Sequence, residues 1–206
     1  MVILFFFIWI SLPCKSWSSW QNVNLKCGSV DTVRKVEFDR QVSLAMISLV
    51  CSVIRSLICS RFFVGWEWPL TCSGWQFIPD DIVTLLNFEA LFDGCQYGLK
   101  DHFGQFLKKS WKVLTNSIFV HRLLNKRCKY QRRHGQVRGL DAVRSGLYTV
   151  ELVRTIMEAI VCHCDFNRFA VNATDLLSDF EPKDQVGGEF SVNAADDAAA
   201  ADFDCC

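Results

Sequence analysis

The residues from Ile3 to Leu12, ILFFFIWISL, form a continuous apolar run that leads directly into Pro13-Cys14. A second run, Arg61 to Trp68 (RFFVGWEW), carries Glu67 near its end. Continuous apolar runs of this length are typical of strands that are buried on both faces of a parallel sheet. Because the carboxyl ends of parallel strands meet at one edge of the sheet, we expect Cys14 and Glu67 to lie close together there.

The segment between these two runs predicts a crossover helix. Lys15 to Asp39 is polar and predicts a loop, whereas Asp39 to Ser60 is apolar on nearly every side and predicts a largely buried helix. The order strand, helix, strand is the connection that joins parallel strands. The sequence therefore predicts an α/β fold with a mostly parallel sheet and flanking helices.

The second half of the chain predicts shorter elements. Each of them follows from apolar periodicity and from local start and stop signals. They are a helix from Pro79-Asp80-Asp81 through Leu86, a strand over Ala90 to Leu99 paired with Trp111 to Thr115, a helix over Ile118 to Asn125 capped by Ser117, and a helix over Thr149 to Cys162.

The chain has no net charge, but its charges are unevenly distributed. Residues 165–206 contain ten acidic residues and two basic ones, whereas residues 1–164 contain 20 basic and 12 acidic residues. We expect one α/β domain over 1–164 and an acidic, low-complexity tail over 165–206. A basic body is compatible with binding DNA or RNA, and equally with an ordinary solvated surface.

The eleven cysteines do not suggest a disulfide framework. Their number is odd, their spacing is irregular, and Cys51, Cys59 and Cys95 lie in apolar runs where cysteine acts as a small buried side chain. This pattern favours a reducing, intracellular location, either cytoplasm or nucleus.

The N-terminal apolar run has a second interpretation. A secretory signal over residues 1–15 would leave a secreted, cysteine-rich protein, although the run has no basic residues before it and no small-residue cleavage triplet after it. It is also shorter than the ~20 apolar residues that cross a membrane, so no membrane association is expected. We favour the buried strand.

Cys14 and Glu67 are the candidate catalytic residues. A cysteine in a tight turn at a strand end can act as a nucleophile once it is a thiolate, a form that the neighbouring Lys15 would favour. Burial would keep Glu67 protonated, so that it could donate a hydrogen bond to a pyrimidine ring nitrogen. Trp66 and Trp68 are the candidate base-stacking residues.

Several phrases in one order carry a family resemblance. Ser11-Leu12-Pro13-Cys14 and the later Glu67 resemble the Pro-Cys catalytic loop and the Glu motif of cytosine-C5 DNA methyltransferases. The stretch from Trp9 to about Ile160 resembles a methylase-like segment of retrotransposon-type polyproteins. The further phrases that carry this resemblance are Gly94 to Leu99 (GCQYGL), Lys108 to Asn116 (KKSWKVLTN) and Tyr148-Thr149.

The resemblance implies a partial Rossmann-like, methyltransferase-type fold, base flipping, and S-adenosylmethionine as the cofactor of an intact ancestor. Two departures stand out: Trp68-Pro69 follows Glu67 where the family has Asn-Val, and no Gln-x-Arg-x-Arg phrase follows Gly98. No Gly-rich donor-binding phrase is present, so the chain resembles a C-terminal portion. We expect a degenerate or incomplete DNA (cytosine) methyltransferase-like protein that binds no cofactor and is inactive alone.

A non-catalytic nucleic-acid-binding or scaffolding remnant is the alternative function. It would use basic residues of the loop over 122–144, together with two lysines before it, to contact phosphates. The candidates are Lys108, Lys109, Arg122, Lys126, Arg127, Lys129, Arg132 and Arg133. Cys128 and His134 suggest two metal ligands, but Cys162-His163-Cys164 would complete the set poorly, and we expect no metal.

Overall fold

The computed structural model describes residues 6–57, 62–129 and 133–178, and the side chains of the last range only as far as residue 166. Its strands are β1 (Phe6–Ile10), β2 (Phe62–Pro69), β3 (Phe88–Asp93) and β4 (Ser110–Thr115). Its α-helices are α1 (Ser19–Cys27), α2 (Val30–Leu57), α3 (Asp80–Leu85), α4 (Ile118–Leu124), α5 (Gly139–Arg144) and α6 (Val150–Ser178).

The strands form a mixed sheet in the order β1-β2-β4-β3. β1 and β2 run parallel with Ile10 opposite Trp66, as the crossover predicts. β4 runs antiparallel to both β2 and β3. The predicted pairing of Trp111 to Thr115 with the preceding strand is confirmed, but the expectation of a mostly parallel sheet is wrong, because the β3–β4 excursion places β4 beside β2.

The crossover between β1 and β2 contains more helix than the sequence predicts. The polar stretch expected to be a loop forms α1 and the first turns of α2, which begins at Val30 instead of Asp39. The hydroxyl of Ser29 accepts a hydrogen bond from the Thr32 amide over 3.3 Å and so serves the first turn. This hydrogen bond helps α2 to begin before its apolar part.

Helix α2 buries one face only, which corrects the prediction of a largely buried helix. Its buried side chains recur at helical spacing along one stripe. Among the described residues it is the helix whose length, 28 residues, and mean hydropathy, 1.3 over its most apolar stretch, would suffice to cross a membrane. The buried side chains are Val36, Ser43, Ile47, Cys51 and Ile54.

Two hydrophobic cores cover the two faces of the sheet. Neighbouring residues of β4 belong to different cores, Leu114 to one and Val113 to the other, as the alternation of a strand requires. α2 and α3 pack on the first face, and α4 and α6 pack on the second. This layering is consistent with the predicted α/β class.

Local signals place the short helices well. α3 begins after Pro79 as predicted, and the hydroxyl of Ser117 accepts from the Val120 amide at the start of α4. α6 continues past the predicted end at Cys162 and through the start of the expected acidic tail.

The chain divides into two units, residues 1–170 and residues 171–206. The described part of the second unit is the end of α6, and residues 179–206 lie outside the described residues.

Candidate functional site

A small pocket lies at the carboxyl ends of β1 and β2. Because the strands are parallel and Ile10 is opposite Trp66, the chain that leaves β1 passes beside Glu67. The pocket has a volume of about 70 Å³. It is lined by Ser11, Leu12, Cys14, Glu67, Trp68, Pro69, Lys109, Trp111, Gly146 and Tyr148. The structure therefore brings the thiol and the carboxyl together at one edge of the sheet, as the sequence predicts.

The carboxyl group of Glu67 is held by two hydroxyl groups. Glu67 is 3% exposed, and its Oε2 accepts hydrogen bonds from Tyr148 Oη over 2.5 Å and from Ser11 Oγ over 2.9 Å. Tyr148 in turn accepts from the indole nitrogen of Trp9 over 3.0 Å. This chain of donors fixes the orientation of the carboxyl group.

A glycine makes room for that chain of donors. A Cβ atom at Gly65 would come within 2.6 Å of the Trp9 ring, a distance that real Cβ contacts essentially never show. Gly65 therefore lets the Trp9 indole lie against β2, from where it reaches Tyr148.

Burial governs the ionisation of Glu67. Loss of solvent around the buried carboxyl raises the pKa of Glu67, while the hydrogen bonds from Tyr148 and Ser11 and the charge of Lys109 lower it by less. The carboxyl group thus keeps its proton to a higher pH than an ordinary glutamate. The sequence predicts the same effect of burial on this carboxyl group.

The Cys14 side chain is a thiol of raised pKa. Partial burial raises the pKa of Cys14, and the charge of Glu67 raises it further, while the charge of Lys109 lowers it. The cation that acts on Cys14 is therefore Lys109 and not the neighbouring Lys15, which is exposed. Because the thiolate is the nucleophilic form, this environment works against a reactive cysteine.

Lys109, which the sequence predicts as a phosphate contact, lies in the lining of the pocket beside Cys14 and Glu67. Its Nζ donates to the Ser145 carbonyl over 2.8 Å and lies 5.0 Å from the centre of the Trp111 ring. Burial lowers the pKa of Lys109, while Cys14 and Glu67 raise it. The antiparallel pairing explains this position, because β4 begins beside the end of β2, with Trp111 opposite Pro69.

Trp66 and Trp68 belong to the core. Their exposed fractions are 0% and 1%, and the rings meet edge to face with centroids 5.6 Å apart. Trp68 donates its indole hydrogen to the Leu12 carbonyl over 2.7 Å and touches the pocket wall. Neither ring presents a free face to a stacked base, so the expectation of base-stacking residues is not supported by the packing.

The remaining basic candidates that the structure describes lie at the surface. Arg127 also pairs with the buried Asp93, with 3.3 Å between Nε and Oδ2. Arg132 lies outside the described residues. The exposed candidates are Lys108, Arg122, Lys126, Arg127, Lys129 and Arg133.

A second cluster of reactive side chains lies away from the pocket. Cys95, Cys128 and His134 each place one potential ligand atom within 4.8 Å of the other two. Sequence reasoning found Cys128 and His134 but not Cys95, which is distant in the chain. His163 is engaged elsewhere, because its Nδ1 lies 2.6 Å from the hydroxyl of Ser117.

Tyr148 contacts Glu67 directly, yet sequence reasoning assigned it no role. The signal was present in the Tyr148-Thr149 phrase, which precedes α6 and is anchored by a 2.5 Å hydrogen bond from Thr149 to the Tyr97 carbonyl.

Comparison of the chain with protein families, with curated proteins and with solved structures finds no match. The function is therefore argued from the pocket itself.

Proposed function

We propose that the protein is a degenerate cytosine methyltransferase-like protein of mobile-element origin, whose Cys14–Glu67 pocket holds the edge of a pyrimidine without transferring a methyl group. The observation that carries this proposal is the position of Cys14 and Glu67 in one pocket, at the ends of adjacent parallel strands. The resemblance of the Pro-Cys and Glu phrases to cytosine-C5 methyltransferases supports the same conclusion.

Glu67 supplies the recognition chemistry. In its protonated form the carboxyl group can donate to the pyrimidine ring nitrogen through Oε1, because Tyr148 and Ser11 engage only Oε2. The raised pKa of Glu67 favours that protonated form. Ser11 and Tyr148 hold the carboxyl group in one orientation, so little conformational freedom is lost when a base binds.

Two observations oppose turnover. The raised pKa of Cys14 leaves it as a thiol, which is a poor nucleophile. The pocket volume of about 70 Å³ is also several-fold smaller than the roughly 300–1,000 Å³ of small-molecule sites, so it fits the edge of a base and not a base with a methyl donor. The proposal therefore includes no binding of S-adenosylmethionine by this chain alone.

The test is DNA binding to a duplex in which one cytosine stands opposite an abasic nucleotide and is easily extruded. We expect the protein to bind this duplex about tenfold more tightly than one with a second abasic nucleotide in place of the cytosine. Glu67→Ala should abolish this preference, whereas Glu89→Ala, which removes an exposed carboxylate of β3, should keep it. Fluorescence anisotropy measures the affinities, and circular dichroism verifies that both variants fold.

The exposed basic residues favour a second candidate function, non-catalytic nucleic-acid binding. Lys126, Lys129 and Arg133 are available to phosphates, and binding through them would fall steeply with salt while ignoring the base. Equal affinity for all duplexes, unaffected by Glu67→Ala, would support this candidate and reject the pocket.

Added S-adenosylmethionine should not change the affinity that this assay measures, and it should not lead to methylation of the DNA.

A further inference from the structure

Cys95, Cys128 and His134 form a cluster of two thiols and one imidazole. Their ligand atoms all lie within 4.8 Å of one another, and Cys128 Sγ is 3.6 Å from His134 Nε2. Cys95 is 4% exposed, and the other two residues are partly buried. The cluster is separate from the residues that line the Cys14–Glu67 pocket.

The sheet fixes the position of Cys95. This residue lies in a 3-10 turn, Gly94–Tyr97, that follows β3 directly. The Gly94 amide donates to the Lys109 carbonyl over 2.7 Å, and the Leu99 amide donates to the Gly94 carbonyl over 3.0 Å. The thiol of Cys95 is therefore presented by backbone that is hydrogen-bonded on both sides of it.

The segment that carries the other two residues is fixed at both of its ends. The Cys128 amide donates to Asp93 Oδ2 over 2.7 Å, and Asp93 is fully buried at the end of β3. After His134, the Gly135 amide donates to the Phe106 carbonyl over 3.0 Å, and Gly135 forms a bridge with Leu107. Cys128 is thus tied to Asp93, two residues before Cys95, and His134 is followed by a backbone contact with Phe106 and Leu107; neither contact uses the side chain of Cys128 or His134.

The spacing of these atoms agrees with tetrahedral coordination. Zinc bonds of ~2.3 Å to sulfur and ~2.1 Å to nitrogen place ligand atoms roughly 3.5–3.8 Å apart around a tetrahedron. The observed 3.6 Å between Cys128 Sγ and His134 Nε2 lies in that range. The upper limit of 4.8 Å for the other pairs requires movements of about 1 Å, which side-chain rotation can supply.

We propose that Cys95, Cys128 and His134 bind one Zn²⁺ ion, whose fourth position is occupied by an exchangeable solvent molecule. Two thiolates and an imidazole select zinc over the hard cations Mg²⁺ and Ca²⁺, which require oxygen ligands. The ion ties the segment after α4 to the end of β3. This replaces the sequence-based expectation of no metal, which considered Cys128 and His134 without Cys95.

The test uses the full chain, reduced and stripped of metal by a chelator. We expect one equivalent of Zn²⁺ to bind and to raise the melting temperature by roughly 5–10 °C. Co²⁺ used as a probe should give the near-ultraviolet absorption of thiolate-to-cobalt charge transfer and the visible bands of a tetrahedral ion. Failure to retain any zinc, or a cobalt spectrum of octahedral type without charge transfer, would overturn the proposal.

The variants separate this site from the other cysteines of the chain. Cys95→Ser, Cys128→Ser and His134→Ala should each weaken zinc binding at least tenfold, whereas Cys27→Ser, at an exposed cysteine of α1, should leave it unchanged. His134→Asn, which is closer in size, guards against a folding defect in His134→Ala. If Cys95→Ser binds zinc as the unaltered chain does, the cluster is a thiol–imidazole hydrogen-bonding contact and the proposal fails.

Discussion

Replacing Trp66 with alanine is expected to lower the free energy of unfolding by about 3–5 kcal/mol. Trp66 is fully buried in the core between the sheet and α2, where it packs against Trp68. Removal of the indole leaves a cavity that the surrounding strand cannot close. A loss of this size is a large part of the ~5–15 kcal/mol that stabilises an average domain.

Trp66→Phe should be much less damaging than Trp66→Ala. The indole nitrogen of Trp66 is buried and finds no acceptor among the described residues, so the phenyl ring removes an unsatisfied polar group while it keeps most of the volume. Trp20→Ala, at a 74% exposed tryptophan of α1, is the control and should change stability by at most about 0.5 kcal/mol. Urea unfolding measures all three, and equal losses for Trp66→Ala and Trp20→Ala would contradict the described core.

Replacing Asp93 with alanine is expected to lower the free energy of unfolding by about 3 kcal/mol, because it removes the acceptor of a buried polar network. Asp93 is fully buried; Oδ1 accepts from Ser110 Oγ over 2.5 Å, and Oδ2 accepts from the Cys128 amide over 2.7 Å. The side chain thereby joins β3, β4 and the segment that contains Cys128. Arg127 is partly exposed and can be hydrated when its partner is lost, so it contributes little to the loss.

Asp93→Asn should lie between the wild-type chain and Asp93→Ala, because the amide keeps one acceptor oxygen and replaces the other by a donor. Glu158→Ala, at an exposed carboxylate of α6, is the matched control and should stay within about 0.5 kcal/mol of the unaltered chain. Urea unfolding of the four proteins in a chelator separates this effect from any bound metal. If Asp93→Ala leaves the free energy of unfolding unchanged, the segment that contains Cys128 is not anchored through this carboxylate.

The sequence predicts those elements of the fold that depend on local patterns. The two apolar runs predict β1 and β2 and their parallel pairing, and Ser117 and Pro79 mark helix starts that the structure confirms. The position of β4 between β2 and β3 was missed, because a strand pattern identifies neither the neighbour nor the direction of the strand. α1 was missed because a polar surface helix has little apolar periodicity.

The residues of the candidate site likewise divide into those that local sequence patterns predict and those that they do not. Cys14 and Glu67 could be placed at one sheet edge because both follow strand-like runs in parallel strands. Lys109 and Tyr148 could not, since their positions depend on the order of β4 in the sheet and on the approach to α6. Trp66 and Trp68 flank the carboxylate in sequence, but strand alternation turns both rings into the opposite core.

The pH dependence of Cys14 alkylation tests most directly whether Cys14, Glu67 and Lys109 share one pocket. Glu67 raises the pKa of Cys14 and Lys109 lowers it, so Glu67→Gln should shift the reactivity of Cys14 to lower pH, and Lys109→Met should shift it to higher pH. Peptide mapping by mass spectrometry isolates Cys14, and the exposed Cys27 of the same samples is the internal control. Opposite shifts at Cys14 with no shift at Cys27 are the predicted result, and a Cys14 profile that neither variant changes would contradict the shared pocket.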